Sequence, residues 1–286
     1  MRCSPACRGE VTPVFGNITL GQYFPGNSPV HRMDPRAKII IAGVYVVLIF
    51  VIKSLLGYVA ALVFVGLSAG LSGVRFKYLM KGLKPLMYII LFTLVVNMLF
   101  TSSGDIYFHW RFITISEGGV QLAVFMALRL VFLILGTQVM MLTTSPLALT
   151  DGIEQLLNPL KRLRFPVHEL AMMMTIALRF IPTLLEETDK IMKAQASRGA
   201  DFETGNILKR ARNMVPLLVP LFVSAFRRAD ELAMAMEARC YKGGHGRTRM
   251  KVLQFTSVDL WASLTVAGLT ALVVLDMIFA KGMLFF

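Results

Sequence analysis

Five apolar runs, at residues 35–52, 55–73, 84–101, 119–142 and 258–280, constrain this chain more than anything else in it. Each is near the ~20 residues that a helix needs to cross the hydrocarbon of a bilayer. Backbone polar groups in lipid must be bonded within their own segment, so such runs take the form of helices. The first run is short and its link to the second is tight. The expected fold class is an all-α membrane protein with about five transmembrane helices. Composition agrees: hydrophobic residues make up 56% of the 286, charged residues only 16%, and mean hydropathy is +0.64.

The basic residues orient these spans. With the N-terminus inside, the inner segments 1–38, 74–84 and 143–257 carry 5, 4 and 17 Lys or Arg. The outer side has Lys53, Arg111 and Lys281, and Arg129 is left inside the fourth span. That asymmetry predicts a cytoplasmic N-terminus. A net charge of +13 also occurs in nucleic-acid binders. Here the bases lie between apolar runs without a recognisable nucleic-acid motif, so the bilayer and acidic protein partners are expected instead.

The expected organisation is a cytoplasmic arm at 1–34, a four-span region at 35–142, a cytoplasmic helical domain at 143–257, and a last span with a short outer tail at 258–286. Residues 1–20 lack the central apolar run of a cleaved signal peptide. Asp34 can cap the first span, with Pro35 in its first position. Arg129 has two readings, a functional intramembrane charge or a structural arginine paired with backbone carbonyls; we take it as a fold determinant.

The segment 143–257 carries 17 basic and 11 acidic residues, so it reads as a domain rather than a loop. An amphipathic helix is expected at 147–164, with Leu149, Ile153, Leu156, Leu157 and Leu160 on one side, broken by Pro159 and Pro166. A second helix runs from 167 to 198 on the stripe Val167, Leu170, Ala171, Met174, Leu178, Ile181 and Leu185. Pro182 should kink it, and Glu186/Lys190 and Asp189/Lys193 are spaced as i,i+4 pairs. A third helical segment covers 206–240. Its apolar core, Val215 to Phe226, is too short to span and fits a buried or interfacial stretch, with Pro216 at a helix start. Ala225, Ala229 and Ala233 form a small-residue face expected to pack on the second helix. Met172, Met173, Met174, Met192, Met234 and Met236 fit either core filling or an adaptable partner surface.

The second and third helices end alike, in Ala196-Ser197-Arg198-Gly199 and Glu237-Ala238-Arg239-Cys240. A glycine just past a helix closes it with a left-handed cap. An arginine there complements the negative helix end and can hold a partner's carboxylate. Each tip alone reads first as an ordinary solvated helix end. Together they resemble the paired Ala-Arg-Gly signatures of the transmembrane T component of energy-coupling factor transporters. Gly21-Gln22-Tyr23, Ser28 to Arg36, Arg179-Phe180-Ile181-Pro182 and Glu186-Glu187 are similar to that family too. Cys240 departs from its glycine position. The resemblance implies that the helices are coupling helices whose tips, Ala196 to Gly199 and Ala238 to Cys240, dock two ABC ATPase subunits. It further implies a separate substrate-binding membrane S component that imports a vitamin or metal ion, or a dedicated cobalt or nickel importer.

Other chemistry is weakly represented. There is no Walker A loop, so ATP is expected to act only through partner subunits and no cofactor is expected on this chain. His31, His109, His168 and His245 are scattered. Cys3 and Cys7 alone make a weak metal site, and none is assigned. No catalytic residue is assigned. A membrane enzyme would have to draw on His168, Glu186, Glu187, Asp230 or Glu231, whose spacings a solvated helix face explains equally well. A free-standing carrier would need more intramembrane ionisable groups than Arg129, Asp259 and Asp276.

Overall fold

The computed structural model describes residues 23–52, 54–100, 106–110, 113–163, 165–200, 207–243 and 253–283; of 106–115, 207–211 and 279–283 the backbone alone is described. Cys3, Cys7, Gly21, Gln22 and His245 lie outside the described residues. Ten α-helices are described: α1 Pro29–Arg32, α2 Pro35–Val51, α3 Leu55–Ser72, α4 Phe76–Leu83, α5 Met87–Phe100, α6 Glu117–Thr143, α7 Pro146–Leu156, α8 Val167–Ser197, α9 Ile207–Ala238 and α10 Ser257–Met283. The chain forms two compact units, one holding residues 160–249 and the other residues 21–159 with 250–286.

In the second of these units, α2, α3, α6 and α10 pack around Tyr45, Ile49, Tyr58, Ala61, Phe132 and Val273. Tyr45 donates to the Phe132 carbonyl at 2.8 Å and Tyr58 to that of Phe125 at 3.2 Å, so each phenol keeps a partner inside an apolar core. Gly136 makes room for Tyr45: a β-carbon there would lie 2.1 Å from the ring. The tight link between the first two spans needs Gly57, whose β-carbon would meet Ile52 at 2.8 Å. Ser54 caps α3 through Gly57 N–H at 3.1 Å and also donates to Asp276 of α10. Asp34 caps α2 as expected, accepting from Arg36 N–H at 2.9 Å. Outward faces such as those of Val47, Leu62, Phe92 and Leu264 remain exposed, as lipid-facing positions should.

Among the described residues, five helices are long and apolar enough to cross a membrane: Leu55–Ser72, Phe76–Phe100, Glu117–Thr143, Val167–Ser197 and Ser257–Ile278. This is a multi-pass membrane protein. The set differs from the expected runs in two places. The first run makes α2, only 17 residues long, and α8, expected outside the bilayer, carries enough apolar length to qualify on composition.

One element was not anticipated, and two local expectations are corrected. A two-stranded antiparallel hairpin, β1 Ile106–Trp110 and β2 Ile113–Ser116, precedes α6, with His109 opposite Thr114. Its aromatic and β-branched residues favour strand, but the run is too short to stand out beside a span. The helix expected at 147–164 ends at Leu156, and residues 158–163 form a 3-10 turn that accommodates Pro159. Pro216 does not start a helix. It lies with Pro220 inside α9, which begins at Ile207.

Candidate functional site

In the unit of residues 160–249, α8 ends at Ser197 and α9 at Ala238. At the first end, Arg198, Gly199 and Ala200 donate to the carbonyls of Gln195, Ala196 and Gln195, all at 3.0 Å. At the second, Arg239, Cys240 and Tyr241 donate to Met236 at 3.2 Å, Glu237 at 2.8 Å and Met236 at 3.1 Å. The two sets match position for position at an offset of 41 residues. Each is a Schellman closure, in which a left-handed residue lets the chain turn back on the last helical carbonyls. Gly199 has φ 86° and Cys240 φ 55°. The missing glycine therefore does not change the cap; the cysteine adopts the conformation a glycine would.

Ala196, Ser197, Arg198 and Gly199 are exposed, as are Ala238, Arg239 and Cys240. Among the described residues neither arginine side chain makes a hydrogen bond or ion pair. The arrangement presents two free guanidinium forks at the ends of two helices, suited to carboxylates on another protein.

The faces that join α8 to α9 are not those expected. Ala225 is half-buried, but Ala229 and Ala233 are exposed. The polar contact is made instead by Ser224 and Arg228, which both reach Glu187, with Arg228 Nη2 at 3.0 Å from its carboxylate. Glu187 is thus the acid in use, and Glu186/Lys190 and Asp189/Lys193 do not close as ion pairs among the described residues. Glu186, Asp230 and Glu231 are exposed. Pro182 lies inside α8 without ending it. Val215, Leu218, Val219, Phe222, Val223 and Phe226 are exposed on α9, whereas Leu217 is buried. The apolar core of α9 is therefore mostly an uncovered surface rather than a buried stretch. Met173, Met174 and Met234 are exposed too, so they do not fill a core within the chain.

The other unit holds a site that sequence reasoning missed. Lys38 of α2, 5% exposed, donates to the Thr143 carbonyl at 2.9 Å and to Thr144 Oγ1 at 3.3 Å, at the C-terminus of α6. Arg129 of α6 donates to the Ile52 carbonyl at 3.1 Å, at the C-terminus of α2, and lies 5.9 Å from the Phe50 ring. Each helix of this pair thus carries a cation that caps the other, satisfying carbonyls left without partners at a helix end. Of the two readings of Arg129, the carbonyl-paired one is what the geometry gives. Asp259 of α10, 4% exposed, accepts from Asp34 N–H at 2.8 Å and Thr256 N–H at 2.7 Å, tying the last span to the first. An apolar cavity of about 340 Å³ adjoins Lys38, Tyr45, Ser68 and Thr143. These groups all donate to backbone carbonyls, which suits structure better than acid–base work. No cluster of three metal-ligating side chains occurs among the described residues.

Comparison with known proteins bears on this geometry. The family described as CbiQ, cobalt transport protein, matches residues 26–251. The energy-coupling factor transporter transmembrane protein EcfT of Clostridium kluyveri is 55% identical over 92% of this chain and 97% of that protein. This chain belongs to the EcfT family. The EcfT proteins of Thermosediminibacter oceani, 58% identical over 89% of this chain and 95% of that protein, and of Bacillus subtilis, 51% identical over 91% and 98%, cover it almost as fully. The paired tips, the membrane helices and the reciprocal caps are therefore features of an EcfT chain, the transmembrane component of an energy-coupling factor transporter.

Proposed function

We propose that this chain is the coupling subunit of an ABC importer, with Arg198 and Arg239 docking two cytoplasmic ATPase subunits. The observation that carries this reading is the identical closure of α8 and α9, each ending in an exposed arginine without a partner among the described residues. Two equivalent tips suit two like partners. Closure of the ATPases on ATP would move the tips, and α8 and α9 would pass that motion to a substrate-binding membrane subunit. The exposed apolar surface of α9 from Val215 to Phe226, with Met173, Met174 and Met234, supplies a surface for that subunit or for lipid. In this reading residues 143–257 are cytoplasmic, as is the N-terminus. ATP acts through the partners, and the chain itself holds no cofactor and no catalytic group. The CbiQ family is described for cobalt transport, whereas the relatives similar over nearly their whole length are named for the energy-coupling factor; the latter favours a module for vitamins or other micronutrients.

The test is affinity purification of the tagged chain from its native membrane beside an Arg198→Ala/Arg239→Ala variant. Two ATP-binding subunits are expected with the parent and none with the variant, because truncation leaves carboxylates unpaired on the partners. ATPases that stay with the variant, or that accompany neither chain, would sink docking through these tips.

A further inference from the structure

Helices α8 and α9 are joined by a polar contact with a particular position. Glu187 lies 11 residues before Arg198, and Arg228 lies 11 residues before Arg239. The Glu187–Arg228 ion pair therefore joins equivalent points of two segments, each separated from its tip by about 16 Å of helix at the ordinary rise. Ser224, one turn earlier on α9, donates to the other Glu187 oxygen.

A second contact gives the direction. A β-carbon on Gly243 would lie 4.0 Å from Glu169 Oε1, so the chain just beyond the second tip passes the start of α8. Glu169 and Arg198 lie on opposite sides of Glu187 along α8. Hence α9 runs back along α8, and the tips point away from each other on either side of the ion pair, about 30 Å apart.

The charges make this register specific. Glu186-Glu187 on α8 and Arg227-Arg228 on α9 hold equivalent positions with opposite sign. Sliding α9 by one turn would bring Arg228 towards Leu184 in one direction or towards Lys190 and Ile191 in the other, none of which offers an anion. The pair is also only partly exposed, with side-chain exposures of 36% for Arg228 and 23% for Glu187, so solvent screens it less than a free surface pair.

We propose that Glu187, Arg228 and Ser224 form a register lock that sets the separation of the two arginine tips. They are then positioning residues for coupling, a consequence that rests on the docking reading above, whereas the lock itself does not. The lock is tested by pulsed electron–electron distance measurement on the full chain without ATPases. Labels go at Ser197→Cys and Ala238→Cys, with Cys3, Cys7 and Cys240 replaced by Ser. The parent should give one narrow distribution near ~30 Å. Arg228→Glu and Glu187→Arg should each broaden it or shift it by about one helical turn, 5 Å, and the milder Glu187→Gln should broaden it less. The Glu187→Arg/Arg228→Glu exchange should narrow it again. Unchanged distributions in the single variants overturn the lock, as does an exchange that stays as broad as they are. In the reconstituted transporter, the single charge reversals should lower substrate moved per ATP by about tenfold with both ATPases still bound, and the exchange should recover it. Full coupling in the single reversals overturns the positioning role. Absence of ATPases from the parent complex overturns the docking reading and leaves the distance result standing.

Discussion

The side chains of Lys38 and Arg129 in one unit, and of Arg198 and Arg239 in the other, are all found at helix C-termini, and they use their protons in opposite ways. The first two reach across to a neighbouring helix and close its end, at the Thr143 and Ile52 carbonyls. The latter two belong to helices whose ends are already closed by the backbone, through Gly199 and Cys240. A cation needed to satisfy carbonyls is committed to the fold. One relieved of that task by a left-handed cap is free for another protein. The difference teaches that the cap, more than the arginine, makes a tip available.

This contrast can be broken by substitution. The largest effect is expected at the tips, in binding rather than stability. Arg198→Ala/Arg239→Ala should abolish ATPase co-purification while leaving the melting midpoint of the purified chain unchanged, as exposed residues without partners among the described residues predict. A fall in the midpoint comparable with that of a core variant would put these arginines in the fold instead. Next comes Lys38→Met, which leaves the Thr143 carbonyl and the nearby Asp259 carboxylate without the cation and should cost about 3 kcal/mol. Thermal unfolding in detergent reads this directly, and a midpoint equal to that of the parent would refute the capping role. Arg129→Met removes the bond to Ile52 in a partly exposed setting and should cost about 2 kcal/mol by the same measurement, with ATPase binding retained. The smallest change sharpens the comparison between the two caps. Cys240→Gly should relieve the strain of a side chain at φ 55° and stabilise the chain by about 1 kcal/mol, whereas a loss of stability there would mean that the thiol makes contacts worth more than that strain.

What the sequence made legible follows from range. The apolar runs, the Asp34-Pro35 start and the arginine-tipped ends are local patterns, set by span length and helix-end stereochemistry, and the helices begin and end close to where those patterns place them. The α8–α9 contact was misjudged because alternation of small residues says only which face could allow close approach. The carboxylate of Glu187 drew Ser224 and Arg228 towards α8 and rotated Ala229 and Ala233 outward. The β1–β2 hairpin was missed because five residues with no apolar–polar alternation, beside a span, carry little signal. Lys38 was counted only as a positive-inside charge. Its partners stand 105 and 106 residues away, and no spacing rule reaches that far.

The bond from Asp34 N–H to Asp259 spans 225 residues, and the whole unit of residues 160–249 is encoded between those two ends. At the usual speed of synthesis, about 5–20 residues per second, the first span would wait roughly 10–45 s for the last to be made. During that interval the start of α2 stands in the membrane without the carboxylate that completes it. The nascent chain is then a natural client for whatever shelters half-built membrane proteins, and a ribosome that stalls before residue 259 would release a product that cannot close.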